Sequence, residues 1–312
     1  MPDQKRPEIT LDDACGVYQD HAQTLPSWKD ARYMINALVD GLGADTVLSK
    51  ITQRDLIAYV ASRRNGRKNS TVNRELDVIR AIWSRIAQAR YEIDEMPNWK
   101  ALRLKQPRLT HRTLGIIEEK DRLSNIRDDV RGAVQFLLMS GWRRSEVLGL
   151  RWSDLDFPNR MAVTPIKGGD MVTRPLTNAM IVLISNQPKA GPFVFTYVCE
   201  RTCSKMRQKG QRYPLTITVL RSAWRQANQA MNADGDHYNP IRIHDLRHTR
   251  ATRMLRATGN LVTVKKALQH RNLKTTLQYA YVLDEDVRAG LDAPDSLNTP
   301  EIDWSDKAKT KL

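Results

Sequence analysis

Gly141-Trp142-Arg143-Arg144-Ser145-Glu146-Val147-Leu148-Gly149-Leu150-Arg151-Trp152 lies where the character of the chain changes. Ahead of it, Val130, Val134, Leu137 and Leu138 recur at helical spacing, and Gly141 is the residue type that most readily ends a helix. Within it, Val147, Leu148 and Leu150 predict another helix. Beyond it the period shortens to that of strands over 161–166 and 171–176. The connection Lys167-Gly168-Gly169-Asp170 tolerates the positive φ of a tight turn, so a β-hairpin is predicted with Lys167 at its tip. From Leu215 onward the pattern is helical again, Gly259 ending one helix and Asn260 capping the next.

Upstream, the first hundred residues read as helices alone. The apolar spacing predicts helices from Trp28 to Leu38, from Asp55 to Ser62, and after Ser70, where Leu76, Ile79, Trp83 and Ile86 share a face. Thr52 with Asp55 has the form of an N-terminal capping pair, and Ser70 is the expected cap of the following helix. Pro97, Pro107 and the polar run from Lys105 to Arg112 interrupt the helical period and mark a linker. The expected fold class is therefore mainly α with a small β-hairpin or sheet (α+β). It divides into a helical domain over 1–104, a second domain over 105–290 and a tail over 291–312.

The balance of 50 basic and 35 acidic residues gives +15 and a pI near 9.9, which points to a polyanionic partner such as nucleic acid or an acidic membrane. The excess is not in the tail. From Leu291 to Leu312 five acidic residues face three lysines, leaving +17 on the preceding 290 residues. No stretch approaches the roughly 18 consecutive apolar residues of a membrane span, and Met1 to Thr10 lacks a signal-peptide core, so a cytoplasmic protein with no membrane partner is expected. Three cysteines, Cys15, Cys199 and Cys203, are too few and odd for a disulfide framework. Cys199 and Cys203 could share a helix face, but a structural zinc takes about four ligands and none completes the set nearby, so no metal is expected.

Four separated segments offer cationic or proton-transferring residues beside turns and helix ends: Arg143, Lys167, His244 with Arg247, and His270 followed nine residues later by Tyr279. Singly, each is more simply read as a solvated, capping or packing residue. Taken together, Gly141 to Trp152, Lys167, His244-Asp245-Leu246-Arg247-His248-Thr249, Leu268-Gln269-His270 and Thr275-Thr276-Leu277-Gln278-Tyr279 resemble the signature of the tyrosine recombinase, or phage integrase, family. The resemblance runs from about Arg112 to Asp286. The N-terminal helices are similar to that family's core-binding (SAM-like) domain only in general pattern.

The resemblance implies a site-specific DNA recombinase that cuts and rejoins strands through a 3′-phosphotyrosyl bond. Arg143 and Arg247 would neutralise the charge that builds on the phosphate, a task suited to a planar, permanently charged guanidinium. His244 lies three residues before Arg247 on one helix, so both project toward one phosphate. His244 and His270 would bind phosphate or move protons, and Lys167 would protonate the 5′-hydroxyl leaving group. Tyr279 would be the nucleophile, and the ester keeps the bond energy for religation, so no cofactor is needed. Tyr281 is a second candidate, but on an α-helix it points about 200° away. Gln269 replaces a common glycine and is expected to crowd its turn.

Glu146 is expected to orient an arginine, and Arg144 to meet DNA backbone or solvent. Arg63, Arg64, Arg67 and Lys68, with Asn73, Arg74 and Arg80 on the next helix, are candidate phosphate contacts, preferred to a merely solvated face because of the overall charge. Arg242, Arg250, Arg253 and Arg256 either line a DNA face or form a solvated one.

As partners, the resemblance implies double-stranded DNA gripped by both domains, and a homo-tetramer on two DNA sites formed from a monomer or weak oligomer. Accessory DNA-bending factors are compatible with it. The tail is either a segment that docks on a neighbouring protomer or disordered. Integration or excision of a mobile element is preferred to Xer-like resolution of chromosome or plasmid dimers. The early start of the helical bundle leaves little room for the arm-binding domain of larger phage integrases. A catalytically silent DNA-binding protein and a topoisomerase IB-like relaxing enzyme are the readings from other classes.

Overall fold

The computed structural model describes residues 6–25, 27–107, 112–165, 169–202, 207–233 and 241–283, with backbone alone for 232–233 and 281–283. Lys167, Cys203 and the tail lie outside these residues. The chain divides into two compact units, Met1–Leu109 and Thr110–Leu312.

The first unit is a bundle of α1 (Leu11–Ala22), α2 (Trp28–Leu42), α3 (Gln53–Arg63), α4 (Asn69–Gln88) and the short α5 (Trp99–Leu102). The longest helix, α4, organises it: Val72, Leu76, Ile79, Trp83 and Ile86, three and four apart, face a core shared with Leu11, Ile35, Leu38 and Leu56. Trp83 meets Trp99 edge to face, with ring centroids 5.8 Å apart. The Thr52–Asp55 pair forms a complete capping box, Thr52 Oγ1 accepting from the Asp55 N–H while Asp55 accepts from the Thr52 N–H. The helix predicted from Ser70 begins earlier, after Lys68, and Ser70 lies inside it. The first helix, α1, was not predicted from the apolar period; Thr10 caps it.

The second unit contains α6 (Ile116–Asn125), α7 (Asp128–Ser140), α8 (Arg144–Leu148), strands β1 (Leu155–Asp156), β2 (Met161–Pro165) and β3 (Met171–Pro175), and α9 (Asn178–Ser185). There follow β4 (Thr196–Val198), β5 (Arg212–Pro214), α10 (Ile217–Ala233), α11 (Ile243–Thr258), α12 (Leu261–Leu268) and two 3₁₀ turns, Leu273–Thr275 and Leu277–Leu283. The predicted hairpin is present as β2 paired antiparallel with β3, Val163 opposite Thr173, and β1 adds a third strand. A separate ribbon pairs β4 with β5. The main core surrounds α7, where Val130, Val134, Phe136 and Leu137 are buried with Phe195, Trp142 and Trp224. A smaller apolar cluster joins α11, α12 and the last 3₁₀ turn through Ala251, Leu255, Val264, Leu268 and the ring of Tyr279.

Three helix ends place the site. Gly141 ends α7 in the left-handed region at φ 64°, and Gly259 ends α11 at φ 60°. Asn260 Oδ1 accepts from the N–H groups of Val262 and Thr263 and so starts α12. At the far end of α12 the left-handed residue is Gln269, φ 53°, where an L side chain costs on the order of 1 kcal/mol.

Candidate active site

Arg247 is buried on α11, and its guanidinium joins two helix ends: Nη1 donates to the Gly141 carbonyl at 2.7 Å and Nη2 to the Leu268 carbonyl at 2.5 Å. These are carbonyls that α7 and α12 leave without helical partners, so a cation at that point is favoured both by hydrogen bonding and by the two helix dipoles. Burial, reinforced by repulsion from Arg143, lowers its pKa to about 10, which still leaves it charged at neutral pH.

Arg143 arrives from the turn before α8. It donates through Nη1 to Glu146 Oε1 (2.9 Å) and through Nη2 to the Gln269 carbonyl (3.3 Å), while its backbone N–H donates to Glu146 Oε2 (2.8 Å). The two arginines are thus pinned to consecutive carbonyls, Leu268 and Gln269, of one turn. Glu146 also accepts from Arg174 Nη1 at 2.9 Å; Arg174 is 2% exposed, comes from β3 and lies over the Trp142 ring, 4.6 Å from its centroid. Burial alone would raise the Glu146 carboxyl, but the hydrogen bonds from Arg174 and Arg143 outweigh it and hold the group below its ordinary value. Three guanidiniums facing one carboxylate leave an excess of positive charge, the electrostatic requirement of an anion site.

His270 follows the same turn. It is buried, its Nδ1 lies 2.9 Å from Thr276 Oγ1, and burial together with Arg247, Arg143 and His244 lowers its pKa to about 4. His244 is exposed in the first turn of α11, its ring edge-on to that of His248 with centroids 5.0 Å apart. Tyr279 is fully buried, and its Oη lies 2.7 Å from His248 Nδ1. The structure therefore brings Arg143, Arg247, His270 and Tyr279 into one electrostatic neighbourhood, since Arg247 senses both Arg143 and Tyr279 and His270 senses Arg143, Arg247 and His244. Lys167 and the side chain of Tyr281 lie outside the described residues. The segment holding the two tyrosines is 3₁₀ and not α, so two residues on it are turned by about 240° where an α-helix would give 200°.

Two site residues escaped the sequence reasoning. Arg174 carried one signal, an arginine on the inward side of an alternating strand, and His248 carried another, its place four residues after His244 on the same helical face.

Residues 110–286, more than half of the chain, match the model of the phage integrase family. The chain belongs to that family. Among curated relatives, tyrosine recombinase XerC of Psychromonas ingrahamii is 30% identical over 166 residues, covering 53% of this chain and 52% of the relative. A tyrosine recombinase of Thermosipho africanus is 27% identical over 194 residues, 59% of this chain and 63% of the relative. The chain thus spans about half to two thirds of the length of these relatives. Two solved structures share the integrase fold. One is the Tn1549 transposon integrase in complex with circular intermediate DNA, with TM-score 0.68 and 19% identity over 91% of this chain and 99% of that one. The other is a lambda integrase dimer bound to a COC′ core site, with TM-score 0.67 and 17% identity over 95% and 81%. At such identities the likeness speaks of the fold alone.

Against this integrase fold, the candidate phosphate contacts separate into two groups. Asn73 is buried, its side-chain amide giving to the Leu104 carbonyl and accepting from the Leu104 N–H, both within 2.9 Å. At 3% exposure Asn73 fastens the chain after α5 to α4, a role that runs against the phosphate contact expected of it. Arg63 forks onto buried Glu75, and Arg67 joins the same carboxylate, so these two cations chiefly compensate an internal charge. Arg74 makes a surface ion pair with Asp30. Arg64, Lys68 and Arg80 are exposed. In the second unit Arg242 is exposed at the start of α11, Arg144 is half-buried, with burial and then Arg221 lowering its pKa, and Arg250 packs against Gly141. Among the described residues no helix is long and apolar enough to cross a membrane.

Proposed function

We propose that this integrase-family chain is a site-specific DNA recombinase that cuts and rejoins strands through a 3′-phosphotyrosyl ester on Tyr279. The observation that carries the reading is the attachment of Arg143 and Arg247 to adjacent carbonyls of one turn, with His270 directly after it and the Tyr279 phenol within the electrostatic reach of Arg247. In-line attack places charge on the non-bridging oxygens of the scissile phosphate. Two cations held by hydrogen bonds before the substrate arrives stabilise that charge without reorganising. Glu146 and Arg174 fix the Arg143 fork, His244 and His270 bind the phosphate, and Lys167 delivers the proton to the departing 5′-oxygen. The scheme draws on no nucleotide cofactor and no metal.

The partner in this reading is double-stranded DNA, met by a core-binding unit over 1–104 and a catalytic unit over 105–290. Arg64, Lys68, Arg80 and Arg242 are the exposed cations best placed to hold the backbone. A homo-tetramer on two sites, the tail serving as a link between protomers, fits a strand-exchange reaction, and a lambda integrase tetramer has been solved on a Holliday junction. Action in the cytoplasm on behalf of a mobile element, in preference to dimer resolution, completes the reading.

The test is a nicked duplex carrying the genomic sequence beside the gene, incubated with the protein in EDTA and resolved under denaturing conditions. Wild type gives a covalent protein–DNA band, Tyr279→Phe gives none and Tyr281→Phe keeps it. The reverse result removes Tyr279 from the scheme, and adducts at unrelated sequences point to a relaxing enzyme.

A further inference from the structure

We infer that His248 is the base that takes the phenolic proton of Tyr279 as strand cleavage begins, an assignment that rests on the recombinase reading. A tyrosine hydroxyl ionises near pH 10, so at pH 7 only about one phenol in a thousand is the phenolate that attacks phosphorus well. A nucleophile of this kind needs an acceptor within hydrogen-bond reach, about 2.6–3.2 Å. His248 Nδ1 lies 2.7 Å from Tyr279 Oη, and both side chains are buried.

The other two histidines are engaged differently. His270 Nδ1 is directed to Thr276 Oγ1, and His244 is the exposed member that faces outward at the start of α11. His248 also follows Arg247 directly on α11. The acceptor of the phenolic proton and the guanidinium that would hold the phosphate therefore move as one rigid element, which sets the nucleophile and its target in a fixed relation. Because Oη has no exposure to solvent, a phosphate meets it only after the groups covering it part; the proton acceptor is already seated when that happens.

The step balances. The Oη–H bond breaks with its proton passing to His248 Nδ1, Oη bonds to phosphorus, and the bond from phosphorus to the 5′-oxygen breaks with a proton supplied by Lys167. Religation reverses each transfer, His248 returning its proton to the phenolate. The incoming phosphate brings the negative charge that balances an imidazolium in a site already holding Arg143 and Arg247. The other ionisable groups about His248 are His244 and Arg247 on its own helix, Tyr279 on the last 3₁₀ turn and His270 after α12. Of the helices packed on α11, α12 carries Lys265 and Lys266, α6 pairs Glu119 with Arg253 toward the other end of α11, and α7 has no ionisable residue after Arg131.

The experiment measures single-turnover adduct formation on a set of nicked duplexes tiling the genomic sequence beside the gene, from pH 6.5 to 9.5, for wild type, His248→Ala and His248→Asn. Asparagine keeps a hydrogen bond at the Nδ1 position without accepting a proton, and DNA affinity within threefold of wild type guards against loss of the fold. Both variants should be slower by about 100-fold at pH 7 and recover about tenfold per pH unit toward pH 9, as the phenolate fraction grows, while wild type stays flatter. A variant as fast as wild type, a variant faster than wild type because the bond restrains Tyr279, or a loss of equal size at every pH would overturn the assignment of His248. Absence of any Tyr279-dependent adduct from wild type would instead remove the recombinase reading, and the base with it.

Discussion

Replacing Glu146 with alanine strips the carboxylate from a fully buried arginine and a partly exposed one, and the two losses differ in size. The Arg174–Glu146 pair is enclosed, with side chains 2% and 3% exposed, and leaving such a cation alone costs about 3–5 kcal/mol. Arg143 is 29% exposed, so solvent screens much of its share, adding about 0–1 kcal/mol. The expected loss is about 4 kcal/mol, equivalent to about 10 °C in Tm for a unit of this size. Trp142, whose ring lies under the Arg174 guanidinium, makes urea unfolding followed by tryptophan fluorescence a local reporter. Adding Arg174→Met removes the stranded charge, and because apolar replacement of a whole buried pair is often neutral, the double variant should recover most of the loss. A single variant costing under about 1 kcal/mol, or a double variant no better than the single, would refute the account of Glu146 as the counter-charge of the site.

Other expectations concern the turn after α12 and the first unit. The pKa of His270 is near 4 when folded and about 6.5 when unfolded, so the unfolded chain binds more protons between these values. Stability is therefore full above about pH 6.5 and falls toward pH 4, by up to about 3 kcal/mol, and His270→Asn should flatten that part of a urea-midpoint titration. Gln269→Gly relieves a left-handed L residue at some cost in chain entropy and should raise stability by about 0.5 kcal/mol in the same assay, with the Arg143 contact, made to a backbone carbonyl, preserved. Asn73→Ala should cost about 2 kcal/mol by thermal unfolding, while the folded fraction binds DNA as wild type does, whereas Arg80→Ala should reduce the salt dependence of binding.

The features legible in the amino-acid sequence are those whose cause is local. The Thr52–Asp55 box, the glycine stops at Gly141 and Gly259, the Asn260 cap and the β2–β3 hairpin each depend on residues within a few positions of one another. Ser70 is not the cap because the helix starts at Asn69, two residues earlier than that cap would give, and the Asn69 side chain donates to the Lys105 carbonyl 36 positions away, a partner that local capping does not reveal. The strands β1, β4 and β5 are two or three residues long, too short for a period to register. At the site, Arg143, Arg247, His270 and Tyr279 stood out only because their motifs resemble a family's. Arg174 meets Glu146 across 28 positions and His248 meets Tyr279 across 31, separations that carry no local signature. The loop cations are a like case: Arg63 and Arg67 read in sequence as candidate phosphate contacts, and nothing local shows that Glu75, buried on the following helix, pairs with both.

Tyr279 is held at both ends, its hydroxyl by an imidazole and its ring by Ala251, Leu255, Val264 and Leu268. Its aim is therefore inherited from the way two helices and a turn close on a bulky disc, and any residue much smaller than an aromatic would forfeit the architecture along with the reactivity. Phenylalanine would keep that disc in place and lack only the oxygen that the proposed cleavage uses.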